Sequence, residues 1–508
     1  MKTTTPIVAA GLVAPAIAQY KPVVSSSELV KLVTTEELLQ GATDLYDLAI
    51  ANGGNRAFGS PGHNATVDYI YDALVETGFY DVYKQPFVEL YEDAQVEFSV
   101  SGVEYDARYL QYSPSGDLDK PLVAVANVGC TAEDFPAPVA NNIAFIQRGE
   151  CSFSQKVANA KTAGAAGAIV YNNVNETLSG TLGGPGDWVP SASVEWAPGQ
   201  AILAQLASSN STTASLFINV ISENRTTFNV IAETKEGDHN NVLAVGAHTD
   251  SVPAGPGIND DGSGTIGILT VAKHLANFSV KNAVRFAFWS AEEFGLLGSY
   301  HYLKTINGTL GGNATEVGKL RAYLNFDMIA SPNYALGVYD GDGSAFNLSG
   351  PPGSEILEQD FVNFFAKLNK SVVPSEYSGR SDYAAFLDNG IPSGGVDTGA
   401  EGLKTAEEAA IFGGEAGVAY DVNYHLVGDT VDNLAMDAFL WNTQAIADAV
   451  AKYAVDFGSI PKPNHTVEAK KRNVEKTKLR RALDHVKPRL SGLGKRYGGC
   501  VHDVKTEL

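Results

Sequence analysis

Two histidines and several carboxylates stand where strand-like runs of this sequence end. His248 and Asp250 close AVGAHTD, Asp260 and Asp261 lie in PGINDDGSG, Glu292 and Glu293 close RFAFWSAEEFG, Asp327 closes AYLNFDM, and His425 sits far downstream in NYHLVGDT. Alone, each has a bland explanation, because single histidines and loop carboxylates are mostly packed or solvated. Together they do not, since strand carboxyl ends of an α/β sheet converge on one crevice. So many carboxylates in one cleft repel each other unless a cation neutralises them. Imidazole with carboxylate suits zinc. A pair of ions about 3.5–4 Å apart shares a bridging carboxylate, and Asp260 is placed for that, with Gly257, Gly262 and Gly264 letting the backbone turn closely. Asp250 follows His248 by two residues, on the same strand face, and can accept a hydrogen bond from the second ring nitrogen. The side chains of adjacent glutamates diverge, so Glu293 can ligate while Glu292 acts as general base, then as acid toward a leaving amine.

The elements that must position these groups are legible in outline. From residue 228 the chain alternates strand-like runs (FNVIAETK, NVLAVGAHTD, AVRFAFWSAEE, RAYLNFDMIA) with helical ones such as GTIGILTVAKHLANF. That pattern predicts an α/β fold with a mixed, largely parallel sheet flanked by helices. Upstream, TTEELLQGATDLYDLAIANGG predicts a helix capped by Thr35 and stopped by a glycine pair, and DYIYDALVETGF a second one ended by Gly78. Residues 85–125 alternate apolar and polar and predict strands.

Residues 121–227 carry short strand-like runs around the helix-like FSQKVANAKTAGAAG. The stretch IAFIQRGECSFSQKVANAKTAGAAGAIVYNN resembles the protease-associated domain, a small β-rich insert. Cys130 and Cys151 both fall in this segment. A disulfide between them would close a loop of about 20 residues and contribute on the order of 3 kcal/mol.

As a set, AHTDSV, GPGINDDGSG, FWSAEEFGLLGS, LNFDMI and GRSDYAAF resemble the M28 family of co-catalytic zinc aminopeptidases, over nearly all of the chain after residue 18. The resemblance implies a zinc-peptidase-like fold and two Zn2+ per subunit. One ion would be held by His248, Asp260 and Asp327, the other by Asp260, Glu293 and His425. It implies Glu292 as general base, Tyr424 as donor to the developing oxyanion, a cis peptide between Asp260 and Asp261, and Met328 and Arg380 as lining of the substrate cleft. The expected substrates are peptides with a free N-terminus, cut to release single residues such as Leu. One position departs from the leucine-preferring pattern. The loop GGVDTGAE places Asp397 where an apolar or aromatic residue is expected. A carboxylate there would favour Lys or Arg as the first residue. A carboxypeptidase of the same fold would need a cationic pocket, for which Arg380 is the one obvious candidate, and a non-catalytic receptor-like relative would lack ligands that are all present here. A glutaminyl cyclase typically uses one zinc.

Composition bounds the rest. The 508 residues carry 36 Lys plus Arg against 58 Asp plus Glu, a net charge of −22, which argues against nucleic acid as a partner. Residues 1–18 end in Ala16-Ile17-Ala18 and read as a secretory signal peptide. No run reaches the roughly 20 apolar residues of a membrane span. Sequons at Asn64, Asn175, Asn210, Asn224, Asn277, Asn307, Asn313, Asn347, Asn369 and Asn464 fit a secreted glycoprotein, with the vacuole as the other destination. The predicted division is 1–18 signal, 19–120 first part of the peptidase domain, 121–227 protease-associated insert, 228–460 catalytic domain and 461–508 a basic, disordered tail. A monomer is expected.

Overall fold

The structure is a computed structural model, and it describes residues 21–463 apart from 175–177, 179, 210–211 and 459. The signal segment and most of the basic tail, with Asn175, Asn210 and Asn464, lie outside the described residues. After a short helical turn at Ser26–Leu29, two longer helices begin the fold. Helix α1 (Thr35–Ala51) is capped one residue earlier than the sequence suggests: the Thr34 hydroxyl accepts from Glu37 N–H at 3.3 Å, because Thr34 has the extended backbone a cap needs. Helix α2 (Pro61–Glu76) starts with proline in its first turn and Ser60 as cap, and ends at the left-handed Gly78. Their apolar faces supply Leu38, Leu45, Ile70 and Leu74 to the main core.

The central sheet comprises β1 (Tyr80–Val100), β2 (Thr213–Thr234), β3 (Asp238–His248), β4 (Asn282–Trp289), β5 (Leu320–Phe326), β6 (Gly337–Tyr339), β7 (Val373–Ser375) and β8 (Ser393–Asp397). Its order is β1–β2–β4–β3–β5–β8–β6–β7. The inner four, β4, β3, β5 and β8, run parallel, while β2 and β6 flank them antiparallel. These inner strands are near-continuous apolar runs because both faces are covered. On one face lie α3 (Gly264–Leu275) and α4 (Met436–Tyr453), whose Ile268, Val271, Ile446 and Val450 join the main core. A second cluster, built around Trp289, Tyr302, Tyr323 and Phe386, is separate from it.

The first two strands are longer than the sequence pattern suggests. β1 and β2 pair without interruption from Tyr80↔Thr234 to Val100↔Ala214, so β2 passes straight through residues 227 and 228. Their inner ends belong to the main core through Tyr80, Val230 and Ala232. Their outer ends, Phe98, Val100, Ala214, Leu216 and Ile218, belong to a third cluster with Phe145 and Ile169. That cluster anchors a smaller sheet with parallel pairing among Gly116–Ala124, Ile143–Gln147, Gly167–Tyr171 and Ser191–Val194. Beside it Cys130 and Cys151 form a disulfide. No helix among the described residues is long and apolar enough to cross a membrane.

Candidate metal centre

The parallel strands bring the candidate ligands to their carboxyl ends. His248 is the last residue of β3, Asp327 follows β5 directly, and Glu292 and Glu293 come three and four residues after β4. Asp260 lies in the turn Ile258–Ser263 that leads into α3, and its peptide bond to Asp261 is cis. His248 Nε2 stands 3.2 Å from Asp260 Oδ1 and 3.5 Å from Asp327 Oδ1. His425 Nε2 stands 3.1 Å from Asp260 Oδ2 and 2.9 Å from Glu293 Oε2. The two oxygens of Asp260 therefore serve two separate groups of donors. Glu292 Oε2 lies 3.9 Å from His248 Nε2. Ala291, Met328 and His425 have φ of 58°, 54° and 58°, an uncommon backbone state held here beside the cluster.

Asp260, Glu292 and Glu293 are almost fully buried, and His248 is 1% exposed. His248 Nε2, His425 Nε2 and Glu292 Oε1 are buried and carry no hydrogen bond among the described residues. Orphaned polar atoms of this kind are rare and need a partner. Burial alone would lower both imidazoles. Asp327 and Glu292 outweigh it at His248, and Glu293 and Asp260 outweigh it at His425, which is pushed up to about 10. Burial also pushes the Glu292 carboxyl well above its usual range. Two inward ring nitrogens among carboxylates fit zinc in chemistry and in number of ligands.

Further side chains, some of them not singled out by the sequence pattern, hold this geometry. Asp261, fully buried, accepts N–H bonds from His248 at 3.1 Å, Gly264 at 2.8 Å and Met328 at 3.1 Å, tying three chain segments together. Gly264 has to be glycine, because a Cβ there would meet the Phe326 carbonyl at 2.1 Å. Asp429 accepts from the backbone of Asn259 at 2.7 Å and Asp260 at 3.0 Å. Asp382, buried and raised to about 7 by that burial, faces the electrostatic field of His248 and Asp327. The Asp250 carboxylate accepts from Glu292 N–H at 3.0 Å and Glu293 N–H at 3.3 Å. Its oxygen is 3.7 Å from His248 Nδ1, and the shorter approach to that nitrogen, 3.2 Å, is from the Asp250 main-chain carbonyl.

Around the rim, Tyr424 stacks on His425 with ring centroids 3.8 Å apart. Arg380 donates to the Tyr424 hydroxyl at 3.3 Å and to Glu401 at 2.9 Å. Met328 is 6% exposed. Asp397, at the end of β8, accepts hydrogen bonds from the Ser375 hydroxyl and from Gly399 N–H, and burial raises it to about 6. Of the sequons, Asn64, Asn224, Asn277, Asn313, Asn347 and Asn369 are exposed, whereas Asn307 is half-buried and donates to Asn389 at 3.0 Å.

A largely parallel α/β sheet with histidines and carboxylates gathered at its strand ends is an arrangement suited to a metallohydrolase. The chain belongs to peptidase family M28, whose model matches residues 229–451, and it contains a PA domain, matched at 118–202. It is 52% identical over 471 residues, 92% of this chain and 93% of the relative, to a protein of Aspergillus fumigatus named probable leucine aminopeptidase 2. Among solved structures it is similar to an aminopeptidase from Aneurinibacillus sp. strain AM-1, at TM-score 0.63 and 26% identity, covering 87% of this chain and 98% of that one. It shares its fold with BSAP, a zinc aminopeptidase from Bacillus subtilis, at TM-score 0.59 and 23% identity, covering 83% and 95% of the two chains. The protein is an aminopeptidase, a hydrolase acting on peptides.

Proposed function

We propose that this enzyme removes single N-terminal residues, Leu among them and basic ones as well, with two Zn2+ per subunit. His248, Asp260 and Asp327 would hold one ion, and Asp260, Glu293 and His425 the other. The observation that carries this reading is the split of Asp260, one oxygen 3.2 Å from His248 and the other 3.1 Å from His425. Bound zinc would polarise the scissile carbonyl and acidify the attacking water.

The chain's own residues supply the rest. Glu292 takes the proton from the attacking water and delivers it to the departing amine; a carboxyl raised by burial is suited to both directions of transfer. The Tyr424 oxygen accepts from Arg380, so its own proton is free to point at the developing oxyanion. Met328 gives the first side chain a soft apolar wall, and Asp397 adds tolerance of Lys and Arg. The site is surrounded by carboxylates able to receive a free α-amine. A signal at 1–18, cleavage into a secreted glycoprotein, and the division at 121–227 and 228–460 complete the proposal.

Digestion of peptides by purified protein, followed by mass spectrometry of the released residues, tests it. Single residues should leave from the front, chelator should stop the reaction, and N-acetylation of the peptide should abolish it. Glu292→Gln should retain zinc and lose about 100-fold or more of kcat. Release of C-terminal residues, or full turnover by Glu292→Gln, refutes the reading.

A further inference from the structure

Arg56 lies in NRAFGSPGH, a glycine- and proline-containing link between α1 and α2, far from the metal centre in sequence and outside the residues matched by the peptidase family. It is nevertheless fully buried. Its guanidinium donates to three main-chain carbonyls: Pro256 at 2.8 Å, Thr249 and Gly257. Its own N–H donates to the Ser251 hydroxyl at 2.9 Å, and Ser251 N–H returns a bond to the Arg56 carbonyl at 3.2 Å. Thr249 is the residue after His248, and Gly257 is three residues before Asp260. One planar group therefore grips both ends of the loop that joins these two ligands. Among the described residues no carboxylate is in direct ion-pair contact with this guanidinium; its N–H groups go to backbone carbonyls, while Asp250, Asp429, Asp261 and Asp260 favour its charge from further off.

His63, seven residues on, reinforces the same point. Thr249 Oγ1 donates its single proton to Trp289 O at 2.8 Å, so the 2.9 Å contact from His63 Nε2 to that oxygen must be an N–H donating. Trp289 ends the strand that leads to Glu292 and Glu293.

We propose that Arg56 is a positioning residue of the zinc centre. By tying Thr249 to Pro256 and Gly257 it sets the separation of His248 and Asp260, so the N-terminal link is a working part of a site whose ligands all lie in the family domain. This rests on zinc being held by those ligands. The test uses full-length protein and follows zinc itself: the rate of transfer to a chromophoric chelator, and zinc affinity by competition, with fold checked by circular dichroism. In Arg56→Lys the ammonium reaches fewer carbonyls from a different geometry, and zinc affinity should fall about 10–100-fold, the size seen when groups behind metal ligands are lost. At saturating zinc kcat should fall while KM stays within about twofold. Ser251→Ala keeps the guanidinium and the Ser251 N–H bond to the Arg56 carbonyl but removes the hydroxyl that receives the Arg56 N–H, and should speed zinc release by a smaller factor in the same direction. A folded Arg56→Lys that holds zinc as tightly as wild type overturns the inference. If that variant does not fold, unchanged zinc release from Ser251→Ala overturns it instead. Wild-type protein that takes up no zinc would overturn the metal reading, and this inference with it.

Discussion

Replacing Asp250 by asparagine should slow catalysis without emptying the site. The carboxylate is fully buried and its two oxygens accept from consecutive amides, Glu292 N–H at 3.0 Å and Glu293 N–H at 3.3 Å. Asparagine offers one acceptor. Its amino group would then face the second amide, two donors with no acceptor between them. A hydrogen bond to a charged group contributes about 1.5–3 kcal/mol. If that is lost from the support of the general base in the transition state, at 1.4 kcal/mol per tenfold, kcat drops by about 10- to 150-fold. KM should change by less than about threefold, because neither glutamate is proposed to bind the substrate's side chain. Initial rates on leucine p-nitroanilide with added zinc, read beside the zinc content of the purified variant, give both constants. A variant with normal zinc and kcat within about twofold of wild type would refute the idea that Asp250 fixes the Glu292–Glu293 backbone. A pure rise in KM would refute it equally.

Two further outcomes follow from other parts of the molecule. Cys130→Ser opens a loop of sequence separation 21 and should lower the stability of the smaller lobe by about 3 kcal/mol, measured by urea unfolding, with kcat on small substrates nearly unchanged. Asp397 titrates near 6 in the fold against 3.8 for a free side chain, so its protonated form is the one the fold favours. The stability this gives is complete below the unfolded value and is lost as pH rises through about 6, by at most about 3 kcal/mol. Asp397→Asn should flatten that part of the pH–stability curve. In wild type the ratio of Lys- to Leu-naphthylamide hydrolysis should rise between pH 5 and 7 as the carboxylate ionises, and in Asp397→Asn it should not. An equal ratio in both proteins at every pH removes Asp397 from specificity.

Much of the site was legible because chemistry and periodicity coincide at strand ends. His248, Glu293 and Asp327 sit at or just beyond the apolar runs of β3, β4 and β5, where the α/β pattern says side chains converge. His425 was named among the candidates from its residue type, but its loop has no regular element to place it, and its assignment to the second ion came from the family resemblance. Of what supports the candidate ligands, Asp250 was legible from its spacing to His248, and other residues were not. Arg56 and Asp429 hold backbone groups distant in sequence and His63 holds the Thr249 hydroxyl, and a buried polar residue leaves no periodic trace. The Gly- and Pro-rich stretch around Arg56 was the available signal, since an arginine in a short link between two helices is ordinarily solvated. The length of β1 and β2 was hidden for a related reason. In β2 the middle section is largely exposed, so the apolar alternation that marks a strand fades between the two cores.

Those two strands also make the smaller lobe a replaceable cassette. It leaves the chain after Val100 and returns at Ala214, and these residues are direct cross-strand partners. A tight turn could splice one to the other, closing the ribbon into an ordinary hairpin while every candidate metal ligand, all of them beyond Ala214 in the chain, keeps its footing. Accessory lobes of different shape could be grafted at the same seam, so the range of peptides admitted is open to change without redesign of the chemistry beneath.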